Sequence, residues 1–212
     1  LDLLCGAPKL QSLNLSMNQG IAGKQLLSDW EAIICGASGA DIQILYFNSC
    51  NLEETPDYSH LSRMTKLGLL DLSNNKLRKI HPFGKEIFPT TLYYDNNRIE
   101  SIAPSEDGYF CGLGQLETFS CSNNQLTELP DLFDARSVHS MITANFSGNK
   151  ISTLANGDQW RGLNTETLNL ADNHFSELPA RLMDSGSRIE TLMLGSNGIR
   201  TIAEGALTGP YS

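Results

Sequence analysis

With 212 residues, 40% of them apolar and 18% charged, the chain can bury a substantial core, and composition alone permits one or two domains. Its 15 basic and 24 acidic residues leave a formal charge of -9, which repels phosphate backbones and gives nucleic acid no basic stripe to follow. No stretch approaches the roughly 20 apolar residues of a membrane span, and Leu1 opens no basic and apolar leader.

From Leu10 onward one line recurs: apolar, two variable residues, apolar, variable, apolar, two variable, Asn, variable, apolar. It is written in full at Leu116 to Leu126 and Ile189 to Ile199, and with a threonine in the first slot at Thr165 to Phe175. In chain order the asparagine slot falls at Asn18, Cys50, Asn75, Asn97, Asn124, Asn149, Asn173 and Asn197, at intervals of 32, 25, 22, 27, 25, 24 and 24 residues. The apolar pairs before it are Leu13/Leu15, Leu45/Phe47, Leu70/Leu72, Leu92/Tyr94, Phe119/Cys121, Ala144/Phe146, Leu168/Leu170 and Leu192/Leu194. This is the alternation of a strand with one buried face. A unit of this kind can cover its apolar face only with a neighbouring copy, so the copies stack into one domain over residues 1–212.

The stretches between copies are less regular. Leu26, Leu27, Trp30, Ile33 and Ile34 form the stripe of an amphipathic helix between the first two copies. Later returns carry His81-Pro82-Phe83-Gly84 and Ala155-Asn156-Gly157-Asp158, which favour short turns, with Phe83, Phe133 and Trp160 filling the core. The last residues, Ile202 to Ser212, read as a return without a following strand or polar cap, so a longer chain is expected.

The pattern resembles the leucine-rich repeat family from Leu10 to Ile202, and the later copies, such as Leu116 through Leu129 and Pro130, resemble its typical subclass of about 24 residues. The resemblance implies an α/β solenoid of about eight repeats. A curved parallel sheet forms the concave face, and short helices, 3-10 turns and loops form the convex face. It also implies ligands on the concave sheet or adjoining loops.

Within a copy such as Leu116 to Pro130, Leu116, Phe119, Cys121 and Leu126 should point inward, and Thr118, Ser120 and Ser122 outward. The asparagine should bond backbone groups that the turn strands, and Cys50 should leave some of them to water or a neighbour. Cys5, Cys35 and Cys111 each precede an inward strand residue by eight to ten positions and precede a glycine. With no Cys-x-x-Cys pair, all five cysteines read as small buried hydrophobes rather than disulfide or metal ligands.

The outward positions form three columns. The first is Ser12, Ile44, Leu69, Thr91, Thr118, Thr143, Thr167 and Thr191. The middle one is Asn14, Tyr46, Asp71, Tyr93, Ser120, Asn145, Asn169 and Met193. The third is Ser16, Asn48, Ser73, Asp95, Ser122, Ser147, Ala171 and Gly195. The threonine run is explained by β-branched residues on a solvated sheet. Ile44, Tyr46, Leu69, Asp71 and Tyr93 differ, grouping apolar and aromatic side chains on three neighbouring strands around an acid, with Asp95 extending the acidic character. Such a group marks an interaction site, or else a patch that packs across strands or under other parts of a longer chain.

Chemistry is not supported elsewhere. His60, His81, His139 and His174 fall in returns or after the asparagine slot and build no catalytic set. Gly20-Ile21-Ala22-Gly23-Lys24 is too tight for a phosphate loop and lacks its hydroxyl. Asn14-Leu15-Ser16 and Asn145-Phe146-Ser147 match the glycosylation triplet, but both asparagines sit mid-strand. The expectation is therefore a monomeric, non-enzymatic binding module with no cofactor, metal or nucleic acid. It would recognise a protein, or alternatively a glycan, through Ile44, Tyr46, Leu69, Asp71, Tyr93 and Asp95. The alternatives are a targeting or substrate-recognition domain of a larger enzyme or secreted effector, and a structural spacer. The irregular unit lengths and lack of cysteine-rich caps are similar to bacterial members of the family, which implies a cell-surface or secreted setting, with the cytoplasm as the alternative.

Overall fold

The computed structural model describes residues 9–21, 41–55, 64–81, 87–102, 114–129, 141–153, 164–178 and 188–207. In chain order the strands are β1 (Ser12–Asn14), β2 (Ile44–Tyr46), β3 (Leu69–Asp71), β4 (Lys79–Ile80), β5 (Thr91–Tyr93), β6 (Ser101–Ile102), β7 (Thr118–Ser120), β8 (Met141–Asn145), β9 (Asn164–Asn169), β10 (Glu177–Leu178), β11 (Arg188–Met193) and β12 (Thr201–Ile202). Eight of them form one sheet in the order β1-β2-β3-β5-β7-β8-β9-β11. Every pairing in it is parallel. The strands of this sheet thus follow one another in chain order, and parallel pairing requires a crossover connection rather than a tight hairpin between them.

The apolar alternation sets the register. Leu13, Leu45, Leu70, Leu92, Phe119, Ala144, Leu168 and Leu192 lie opposite one another from strand to strand. In the interior rungs these residues and their partners two positions on are fully buried. Phe119 packs between Tyr94 and Phe146, with ring centroids 6.1 and 5.5 Å apart. The two small inward residues, Cys121 and Ala144, leave room for these tilted rings. At the ends Leu13, Leu15, Ile189, Leu192, Leu194 and Ile199 are only partly buried, because β1 and β11 each have a neighbour on one side.

The asparagine ladder works through both ends of each amide. Asn149 accepts from Leu126 N–H at 3.0 Å and donates to the carbonyls of Cys121 and Phe146 at 3.0 Å and of Ser147 at 3.3 Å. Asn75, Asn97, Asn124, Asn173 and Asn197 repeat this arrangement on their own rungs. The chain can turn there because the preceding residue is left-handed on every rung: Met17, Ser49, Asn74, Asn96, Asn123, Gly148, Asp172 and Ser196 all have φ between 53° and 66°. Asn, Asp and Gly tolerate this region best. At Gly148 a Cβ would also sit 2.3 Å from Asn123 Oδ1, so only glycine fits without movement.

Four positions beyond the ladder, a second line of pairing forms. It comprises β4 with β6, β10 with β12, and the bridge between Glu128 and Thr153. Helix is sparse: among the described residues a 3-10 turn at Gln19–Ile21 is recorded. The amphipathic stripe of Leu26 to Ile34 lies outside the described residues, as do Phe83, Phe133, Trp160, Cys5, Cys35 and Cys111.

Two expectations need correction. Ser120 and Ser122 stand on the concave side, but they are 5% and 8% exposed rather than open to solvent, because the longer side chain of Asp95 on the next rung closes over both. The gap at Cys50 is smaller than a lost amide suggests. Its thiol donates to the carbonyl of Leu15 at 3.1 Å and reaches that of Asn48 at 3.6 Å, taking over part of the ladder's donor role.

Candidate functional site

Two rules place the candidate residues. Strand alternation sends residues 44, 46, 69, 71, 91 and 93 to one face, and in-register parallel pairing aligns Ile44 with Leu69 and Thr91, and Tyr46 with Asp71 and Tyr93. The result is a row in which a carboxylate stands between two phenols, with an aliphatic ledge of Ile44 and Leu69 one step along the strands. At about 4.8 Å per strand the two tyrosine backbones are about 10 Å apart. Each of the five side chains is half-buried, since each shields its neighbours on an inward-curving sheet.

Asp71 accepts a hydrogen bond on Oδ1 from Ser73 N–H at 2.9 Å. This is a recurrent device: Asn14, Asn145 and Asn169, in the same column, accept from the backbone N–H two residues on, at Ser16, Ser147 and Ala171. Both asparagines of the glycosylation triplets are therefore engaged in the strand end. In the rung of β7 the column carries Ser120, too short for the task, and the acceptor comes from next door. Asp95 Oδ1 receives Ser122 N–H and Ser122 Oγ at 2.7 Å and Ser120 Oγ at 2.5 Å.

Asp95 is half-buried and adjoins the tyrosine row, yet its carboxylate is spent on the neighbouring serines. It belongs to the polar part of the face rather than to the row. The signal is present in sequence, as a serine at position 120 where four other rungs offer Asn or Asp, but it becomes legible only once the strands are paired. Asn48 was also passed over: half-buried at the edge of the row, it accepts a close hydrogen bond from Ser16 Oγ.

The face is one-sided in charge. Asp71 and Asp95 lie in the three columns, and no Lys, Arg or His does. Lys76, Arg78, Lys79 and Arg98 follow the ladder instead, and the ion pair recorded among the described residues joins Lys66 to Asp41. Burial raises the Cys121 thiol well above its usual range, and the negative charge of Asp95 adds to the effect. Cys50 is also raised by burial, opposed by the backbone N–H groups of Asn18 and Met17. Both are free thiols buried away from the face. Among the described residues no group of three His, Cys, Asp or Glu could hold a metal ion, and no helix is long and apolar enough to cross a membrane. His81 and His174 are exposed; His60 and His139 lie outside the described residues.

Comparison with known proteins bears on the scaffold. The Leucine Rich Repeat family model matches residues 115–135. Lumican from Coturnix japonica is 31% identical over 138 residues, covering 63% of this chain and 38% of lumican. Podocan from Mus musculus is 28% identical over 137 residues, covering 63% of this chain and 22% of podocan. A solved leucine-rich repeat protein from Bacteroides thetaiotaomicron superposes with a TM-score of 0.77 at 37% identity, covering 95% of this chain and 24% of that one. Another, from Bacteroides eggerthii, gives 0.70 at 29% identity, covering 92% and 36%. The chain thus spans well under half the length of each of these proteins. By its repeated line, its asparagine ladder and these matches, the chain has the fold of leucine-rich repeat proteins.

Proposed function

We propose that the chain is a non-enzymatic binding module that recognises a protein partner through the half of its concave face built by β2, β3 and β5. The observation that carries this reading is the row Tyr46, Asp71, Tyr93 beside the ledge of Ile44 and Leu69, aligned by register and half-open to solvent. Tyrosine supplies large contact area with few rotors to freeze, and a preformed sheet binds with little reordering cost. The aliphatic ledge favours a protein partner over a glycan, whose hydroxyls need polar contacts. We extend the reading to a bacterial surface or secreted setting, supported by the likeness to two Bacteroides proteins. Protease shaving of intact cells tests that extension, and resistance of the protein to shaving together with its absence from the medium would count against it.

The binding reading is tested by selecting peptides from a random displayed library on the intact protein and titrating the best binder against the Tyr46→Ala/Tyr93→Ala variant. The expected result is a loss of affinity of about tenfold or more, with the circular dichroism spectrum and melting temperature retained. Unchanged affinity would move the site off this half of the face.

A further inference from the structure

Resting on the binding reading above, we propose that the row Tyr46, Asp71, Tyr93 is a receptor for an arginine side chain presented by the partner protein.

Three features of the face converge on a planar cation with an apolar stem. Asp71 stands in register between the two tyrosines, so both rings flank one carboxylate. Aromatic faces attract cations, arginine above all, and a guanidinium can stack on a ring while bonding a carboxylate in its own plane. Tyr46 and Tyr93 stand on strands about 10 Å apart with Asp71 between them, a separation that admits a flat group. Ile44 and Leu69 lie one step along the same strands, where the methylenes of an arginine would run before its head reaches Asp71.

Charge distribution supplies the third element and separates the two acids of the face. Asp95 Oδ1 is occupied by three donors from Ser120 and Ser122. Asp71 Oδ1 takes the single N–H of Ser73, and among the described residues no Lys or Arg pairs with it. The columns hold no internal cation, and the chain carries a formal charge of -9, so an arriving cation meets an attractive field without displacing one already in place. A glutamate or aspartate at the same spot would be repelled. A neutral apolar side chain would contact the ledge while leaving the negative charge of Asp71 uncompensated.

The test uses the intact protein, isotopically labelled, and three short soluble peptides of glycine and serine that differ only in a central residue: arginine, its neutral isostere citrulline, or glutamate. Backbone amide shifts are followed by NMR titration. The arginine peptide is expected to move the amides of β2, β3 and β5 saturably, with an affinity at least about fivefold above citrulline, and the glutamate peptide not to bind. Asp71→Asn, which keeps an acceptor for Ser73 N–H, should erase the difference between arginine and citrulline, and Tyr46→Ala should weaken both. Equal binding of arginine and citrulline at this face by the parent protein would overturn the cation inference while leaving the binding reading in place. An arginine preference that survives Asp71→Asn would overturn the inference as well. Shifts confined to other strands would overturn both.

Discussion

Strands β2, β3 and β5 share with β7, β8 and β9 one register, one inward column and one asparagine ladder, yet their outward faces behave differently. In the second group the polar atoms answer one another: Asp95 takes Ser120 and Ser122, Asn145 donates to Ser120 at 3.2 Å and accepts from Ser147 Oγ at 2.9 Å. In the first group Ile44, Tyr46, Leu69 and Tyr93 present surface that no such network consumes. The contrast shows how a solenoid separates two tasks. Inward residues and the ladder specify the stack, and the outward columns are free to become either a self-satisfied floor or a surface with unused capacity.

That contrast can be broken at the level of the ladder, where it should vanish. Asn75→Ala behind the tyrosines and Asn149→Ala behind the polar floor should each cost roughly 1–3 kcal/mol, since both orphan buried backbone groups. Urea unfolding measures this, and a large difference between the two would mean that the halves are not equivalent scaffolds. The next largest effect separates the acids. Asp95→Ala should cost about 1–2 kcal/mol by stranding Ser122 N–H and both serine hydroxyls, a loss visible as a lowered melting temperature.

Alkaline pH probes the core beneath the polar half. The Cys121 thiol is raised by burial in the folded state, above an ordinary value of 9.0. The unfolded chain therefore loses its proton first: stability is intact below that value and falls as pH rises beyond it. The drop attributable to this thiol should set in as pH rises past that value, and Cys121→Ala should remove that part of the slope in denaturation measured from pH 7 to 10. A variant with the same alkaline slope as the parent would reject this assignment. The smallest effect belongs to Asp71→Asn, which preserves the acceptor for Ser73 N–H and should shift stability by less than about 0.5 kcal/mol. A larger change would make Asp71 a structural residue like Asp95.

The sheet order, the inward column and the ladder were legible because each repeats, and a repeated signal identifies its own exceptions. Aligning copies was enough to bring Tyr46, Asp71 and Tyr93 together. The left-handed residue before the ladder was also written in the chain, as Asn74, Asn96, Asn123, Gly148 and Asp172, but Met17, Ser49 and Ser196 obscure it, since side-chain type alone does not report φ. The direction of Asp95 was not legible, because it depends on the length of a side chain one rung away. Nor was the half-burial of the tyrosine row, which follows from mutual shielding. The donor role of Cys50 required knowing that its sulfur comes within 3.1 Å of Leu15 O.

The two halves can be compared in one experiment because each carries reporters. Hydroxyl-radical footprinting of the intact protein, free and saturated with its best selected peptide, reads Tyr46 and Tyr93 in one half, and Ile142 and Met193, each 45% exposed, at or beyond the other. Protection of the two tyrosines with Ile142 and Met193 unchanged is the predicted result. Protection of Ile142 or Met193 while Tyr46 and Tyr93 stay as reactive as in the free protein would contradict it.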